Sequence, residues 1–398
     1  MTRATVRRLA LPLAALALSA ASAASALAAS EPYDINVILP LTGLASFLGK
    51  EEKQALDVLE AYVNRTGGIQ GRPLHLAYYD DQSTPQLSVQ LMKQAMAGKP
   101  PVILGSSLVA DCNAMLPLAS EGPVVYCFSP GIHPQAGSFG FTTSVSTHDL
   151  QLALLRYFVA KGWTRIALIT STDATGQDAE RGINEAVALP ENKSITVVER
   201  AHFNPTDVSV SAQIERIKGE RPQALIAWST GTPIATVFKA IAQSGLDIPV
   251  ATTNGNQTYA QMERYASFLP KQLYIPTSEW PTPPKGAALE AKVAEAHRVF
   301  FAEFKAANAR PDVAASLAWD PAMIVVAGLR KLGTETSAAQ LKDLIEHLKG
   351  YGGVSGLYDF EKVPQRGLDV ASAVVTRWDP AAQEFAVVSK PGGAPLAP

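Results

Sequence analysis

The sequence predicts an α/β protein of two lobes, each a parallel sheet flanked by helices. Three observations point there. Short apolar, branched runs alternate with amphipathic helical patterns along nearly the whole chain. The first such pair, with the strand that follows it, has the spacing of a βαβ unit. Of the 398 residues, about 370 remain once an N-terminal export signal is set aside, more than one hydrophobic core usually serves.

Residues 1–28 are expected to be that signal. Arg3, Arg7 and Arg8 form a basic leader, Leu9 to Leu18 an apolar run, and Ala26-Leu27-Ala28 a small-x-small cleavage site. The run is too short and Ala-rich for an anchor, no stop-transfer charges follow, and no Cys near the cleavage site offers a lipid attachment. The mature protein is therefore expected in the periplasm. Outside the signal, no stretch reads as long and apolar enough to cross a bilayer.

The first βαβ unit runs from Asp34 to Asp81. Ile35-Asn36-Val37-Ile38-Leu39-Pro40 suits a buried parallel strand. After a Gly-bearing loop, Ala55, Leu59, Tyr62 and Val63 share one helical face, and the helix stops at Gly67-Gly68. A second strand carries Leu74, Leu76 and Tyr78 and ends at Asp80-Asp81. Those two acids read either as an acid pair or cation site, or as a polar strand end that caps the next turn.

Thr84-Pro85 starts the next helix, and strands follow at Pro101 to Gly105 and Val124 to Phe128. Near Thr142 to Val145 the chain crosses over. A second series opens with a helix from Asp149 to Lys161. Strands then fall at Arg165 to Thr170, Ile195 to Glu199, Ala224 to Trp228 and Pro249 to Thr253. Leu273 to Pro276 is expected to return the chain to the first lobe, where helices Ala287 to Asn308 and Pro321 to Leu332 would pack. A last helix, Ala338 to Leu348, and strands at 356–360, 371–378 and 384–389 are assigned to the second lobe. The first lobe thus comprises 33–145 with 278–332, the second 146–277 with 333–390, and 391–398 is a flexible tail.

Net charge is −2, with 34 basic and 36 acidic residues mixed along the chain. No basic stripe accompanies aromatic residues, so nucleic acid is not an expected partner. The two cysteines, Cys112 and Cys127, have neither metal-ligand nor redox spacing. They read either as a helix-to-strand disulfide or as two buried thiols. Nucleophile, Walker and dinucleotide motifs are absent. The six histidines are scattered, with no pair at helical spacing for a metal. No catalytic residue, metal or cofactor is expected, and the chain is not read as an enzyme.

A binding cleft needs apolar walls and a few orienting polar groups. Ser106, Ser107, Thr175, Thr230 and Asn254 are uncharged polar residues at carboxyl ends of strands in both lobes, with Leu108 beside the first pair. Each alone is an ordinary turn or cap residue. Their recurrence at one edge marks a ligand site.

Leu41-Thr42-Gly43, then Asn64-Arg65-Thr66-Gly67-Gly68-Ile69-Gln70-Gly71-Arg72-Pro73-Leu74, then Asp80-Asp81, resembles the start of type I periplasmic solute-binding proteins. The branch it is similar to serves branched-chain amino acid and related ABC importers. The resemblance implies two Rossmann-like lobes joined by a three-crossover hinge, closing on a small molecule. It also implies delivery to an inner-membrane permease driven by an ATPase, and a monomer. In that family the loop after the fourth strand grips a ligand carboxylate. Here it is Gly131-Ile132-His133, with His133 in place of a hydroxyl; His133 also reads as a loop histidine held by the next proline. The family's acid for an α-ammonium is replaced by Asn254, and two tyrosines by Thr175 and Gly231, which leaves room. Phe47 and Trp280 would then either sandwich a ring or fill the lobe packing. The ligand expected is a carboxylate with an aromatic body, such as a benzoate, phenylpropanoid or aryl keto acid. Branched-chain amino acids, or a sensory role for the same fold, are the alternatives.

Overall fold

The computed structural model describes residues 1–2, 31–283 and 287–396; the export signal lies, but for its first two residues, outside them. The chain starts with β1 (Tyr33–Leu39), α1 (Ser46–Arg65), β2 (Leu74–Asp80) and α2 (Pro85–Met96). Next come β3 (Val102–Gly105), α3 (Val109–Met115), β4 (Val124–Cys127) and β5 (Gly140–Thr142). These strands form one parallel sheet in the order β2-β1-β3-β4-β5. β3 and β4 are buried at every residue, because helices cover both sheet faces and leave no side for polar residues. Cys112 and Cys127 form a disulfide that ties α3 to β4, with Cα atoms 6.2 Å apart.

The chain crosses at 143–146 into α4 (Thr147–Ala160), where the Ser146 side chain accepts from the Asp149 N–H as a cap. It continues through β6 (Arg165–Ser171), α5 (Ala174–Ala188), β7 (Thr196–Phe203), α6 (Ser211–Gly219) and β8 (Ala224–Trp228). Then follow α7 (Pro233–Ser244), β9 (Val250–Ala251), α8 (Tyr259–Tyr265) and β10 (Leu273–Ser278). After α9 (Ala291–Ala306), α10 (Val313–Leu332) and α11 (Ala338–Glu346) come a hairpin, β11 (Lys349–Gly353) and β12 (Gly356–Asp359), and last β13 (Ala373–Asp379) and β14 (Glu384–Val387). The second sheet has seven strands in the order β14-β13-β10-β9-β8-β6-β7. It is mixed rather than purely parallel, since β13 and β14 run antiparallel at one edge.

Five expectations need correction. The strand at Leu273 stays in the second sheet, parallel to β9, so the crossing back comes after it. Within the stretch 333–390, α11 packs on α10 and β4, and the β11–β12 hairpin on α9; this stretch therefore serves the first lobe until β13 returns to the second sheet. Pro321 sits inside α10 instead of starting it, because the Asp312 carboxylate caps the helix at the Ala314 N–H. α10 is also long and apolar enough to cross a membrane by length and composition, but 83% of its apolar window is buried inside the first lobe, as suits a core helix. Finally, residues 391–396 do not hang free. Gly393, at φ +92°, lies where a Cβ would meet the Ala153 carbonyl oxygen, and this lets the chain end press on α4.

Candidate functional site

The carboxyl ends of both sheets face one another across a closed cleft. The Thr232 N–H of the second lobe donates to the Leu44 carbonyl of the first at 3.0 Å. Between them the cleft leaves only about 20 Å³ open to the centre of a water molecule. Its walls come from Leu48 on α1, Leu108 and Val109 at the start of α3, Phe128 after β4, and Leu317 on α10. From the second lobe come Trp228 at the end of β8, with Thr175, Thr230, Thr253 and Asn254. Ser107, Ser129, Pro130, Thr147 and the glycines Gly131 and Gly255 complete the lining.

No charged side chain lines this cavity among the described residues. Its polarity comes from hydroxyls, one amide and backbone. Thr147 and Thr175 lie in the first turns of α4 and α5, so two helix N-termini with their partial positive charge open on it. The Asn254 amide is buried, and its Nδ2 has no hydrogen-bond partner among the described residues. An unpartnered buried donor is costly unless a ligand acceptor completes it.

Of the twelve residues singled out from the sequence, Ser107, Leu108, Gly131, Thr175, Thr230 and Asn254 line the cavity, and six do not. Ser106 is turned away, its hydroxyl donating to Asp81 at 2.5 Å. Ile132 is buried in the first lobe's core. His133 reaches out of the cleft to Asp178, with Nε2 2.9 Å from Oδ1. Phe47 packs edge-on against Tyr265, ring centres 6.1 Å apart, and so fills the lobe packing. Trp280 is held elsewhere, its indole N–H donating to Thr277 at 3.0 Å and Gln257 at 3.3 Å. Gly231 leaves no room for a ligand, because a Cβ there would lie 2.3 Å from the Leu44 carbonyl oxygen; the opposite lobe occupies the space.

The aromatic walls are Phe128 and Trp228, which sequence reasoning passed over. Their signal was positional: each follows or closes a buried strand at its carboxyl end. Glu52 was also missed. It lies on the buried face of α1, wholly enclosed, and hydrogen bonds to the Ser107 hydroxyl while its other oxygen has no partner among the described residues. Burial pushes its carboxyl well above the ordinary range, and Asp81 and Asp312 add to this against the Ser107 bond. The Ser107 hydroxyl donates to Glu52 Oε2, which ties the buried acid to the cavity lining.

Asp80 and Asp81 take the turn role. Asp80 accepts from the Thr42 and Gln82 N–H groups, and Asp81 from the Ser83 N–H and the Ser106 hydroxyl. Behind them Asp111 is buried, its carboxyl pushed up to about 7 by burial first and by the Asp81 charge second. The unfolded chain ionises near 4, so between roughly pH 4 and 7 the folded state holds the extra proton and stability falls as pH rises. Asp111→Asn should remove that loss. Urea unfolding at pH 4.5 and 7.5 should show the variant gaining on the parent by up to about 3 kcal/mol, less to the extent that Asp81 shares the titration. A gap that does not change with pH would show that Asp111 is ionised throughout.

Residues 32–383 match the family model described as periplasmic binding protein. A curated relative, Leu/Ile/Val-binding protein homolog 3 of Brucella melitensis, is 25% identical over 205 residues, which span 50% of this chain and 55% of that protein. A solute-binding protein of a Rhodopseudomonas palustris ABC transporter, solved with benzoate, superposes with a TM-score of 0.75 at 18% identity, covering 92% of this chain and 97% of that one. The branched-chain amino acid transporter substrate-binding protein LivJ of Streptococcus pneumoniae, solved with isoleucine, gives 0.74 at 16% identity, covering 90% and 99%. At these identities the two structures show a shared fold. With the family model matched over most of its length and two α/β lobes closing on one cleft, the chain belongs to the periplasmic binding protein family, in its type I form.

Proposed function

We propose that this protein is the periplasmic receptor of an ABC importer and that its ligand is a small carboxylate with an aromatic body. One observation carries the reading: the cavity has aromatic walls from both lobes, neutral donors and two helix N-termini, and no charged side chain among the described residues. Helix N-termini and an unpartnered amide donor favour an anionic group. Phe128 and Trp228 suit a flat apolar body. The little space left in the closed cleft means that a ring enters with the lobes apart and widens the cavity as they close. Closure is then favoured by contacts that only the closed form makes, and a permease with its ATPase receives the closed form.

A second reading, a branched-chain amino acid, is favoured by Glu52, a buried acid directly behind Ser107. An ionised Glu52 would offer an ammonium its counter-charge, whereas a neutral one would not.

Thermal shifts of protein refolded free of carried-over ligand separate the two. Aromatic carboxylates should raise the melting temperature, by about 2.7 kcal/mol of stabilisation at a hundredfold excess over Kd, and leucine and valine should not. Glu52→Gln, which mimics the neutral acid, should keep the aromatic shift at pH 7. Shifts with leucine that vanish in Glu52→Gln would overturn the aromatic reading in favour of the amino acid.

A further inference from the structure

Outside the cleft, three side chains far apart in sequence meet at the lobe boundary. His133 comes from the loop after β4 in the first lobe, His148 from α4 and Asp178 from α5 in the second. His133 Nε2 lies 2.9 Å and His148 Nε2 3.1 Å from the same Asp178 Oδ1, and the donor atoms all fall within 4.8 Å of one another. We infer that these three residues form a divalent transition-metal site, of the kind zinc occupies, that links the two lobes beside the ligand cleft.

The donor chemistry fits. Two imidazoles and one carboxylate are a usual three-residue set for zinc, with a fourth position left for water. His133 is partly exposed, so that position has access from solvent. The other nitrogen of His148, Nδ1, lies 2.8 Å from Glu185 Oε2. A carboxylate on the far nitrogen is what fixes a metal-binding imidazole in the right tautomer. Without a metal the cluster is lopsided: His133, His148 and Arg181 crowd Oδ1, while the buried Oδ2 has no partner among the described residues. A cation spreads the demand over both oxygens. Arg181 is the group that opposes it, but its side chain is 58% exposed and free to swing into water.

Since the ligands come from both lobes, an ion held by all three favours the closed arrangement. By linkage, cleft ligand and metal then tighten one another. The coupling rests on the lobe-closure reading above; the metal site does not.

The test is calorimetric titration of zinc chloride into tag-free, chelator-stripped protein without cleft ligand, repeated with cobalt to read the ligand field. The parent should bind one zinc per chain at micromolar or tighter Kd, and cobalt should show tetrahedral visible bands. His148→Gln and His133→Gln should each weaken zinc at least about a hundredfold, since losing a direct ligand costs no less than losing an outer-shell partner, worth about 10- to 100-fold. His347→Gln, on a remote exposed helix end, should change nothing. Zinc binding that survives both histidine substitutions, or that the parent lacks at submillimolar zinc, would overturn the site. Should either variant fold poorly by circular dichroism, Asp178→Asn must lose zinc in its place. If zinc binds at this site but leaves cleft-ligand affinity unchanged, the coupling falls and the metal site stands.

Discussion

Gly231→Ala should lower cleft-ligand affinity by about ten- to a hundredfold with only a small loss of folding stability. Gly231 has φ +86°, and its Cα hydrogen faces the opposite lobe. A Cβ would lie 2.3 Å from the Leu44 carbonyl oxygen, the atom that also accepts from the Thr232 N–H. That oxygen is backbone, so it cannot rotate away. The positive φ costs about 1 kcal/mol in open and closed forms alike. The clash exists only when the lobes are shut. Overpacking of this kind costs roughly 1–3 kcal/mol, and each 1.4 kcal/mol is tenfold in affinity. The loss should therefore appear in binding, measured by calorimetry on the ligand that the thermal screen selects. Small-angle scattering on the ligand-free variant should give a larger radius of gyration than on the parent. Unchanged scattering together with unchanged affinity would mean that the Leu44–Thr232 contact is not part of closure.

The strands were legible because their apolar runs are continuous where helices cover both faces. Val124 to Phe128 and Ala224 to Trp228 need no partner to be recognised. The lobe assignment of α11 was not, since it depends on packing between elements far apart in the chain, as α11 with β4. Polar site residues at strand ends were half legible: Thr175 and Asn254 reach the cavity, but Ser106 turns back to satisfy Asp81. Aromatic residues misled because position in a loop says nothing of what holds the ring. Trp280 looked available, yet its indole N–H needs an acceptor when buried and finds Thr277 and Gln257. Glu52 was passed over because an acid on a helix is ordinarily solvated, whereas this one lies on the buried side with Leu48 and Leu56. The histidine pair was invisible to helical spacing because Asp178, 45 and 30 residues away, is what gathers it.

Arg366→Met should destabilise the protein by about 3–5 kcal/mol, the range seen when one partner of a buried charged group is removed. Arg366 lies on the last crossing between the lobes and is 6% exposed. Its guanidinium donates to the carbonyls of Thr143 and Ser144 on the first crossing, and to those of Pro130 and Ile132 on the loop that borders the cavity. One side chain thus holds two crossings and the ligand loop in register. Burial lowers its pKa to about 10, with Asp149 and Asp178 opposing that fall, so the group stays charged at neutral pH. Methionine fills much of the volume without a donor and leaves four buried carbonyls short of their N–H groups, at roughly 1–3 kcal/mol for any that water does not reach. Arg366→Lys should recover only part of the loss, because a point ammonium lacks the planar fork that serves four acceptors at once. Urea unfolding at pH 7 measures both variants. If lysine restores full stability, charge alone holds the hinge; if methionine costs less than about 1 kcal/mol, the crossings are tied by their own backbone and the guanidinium is a bystander.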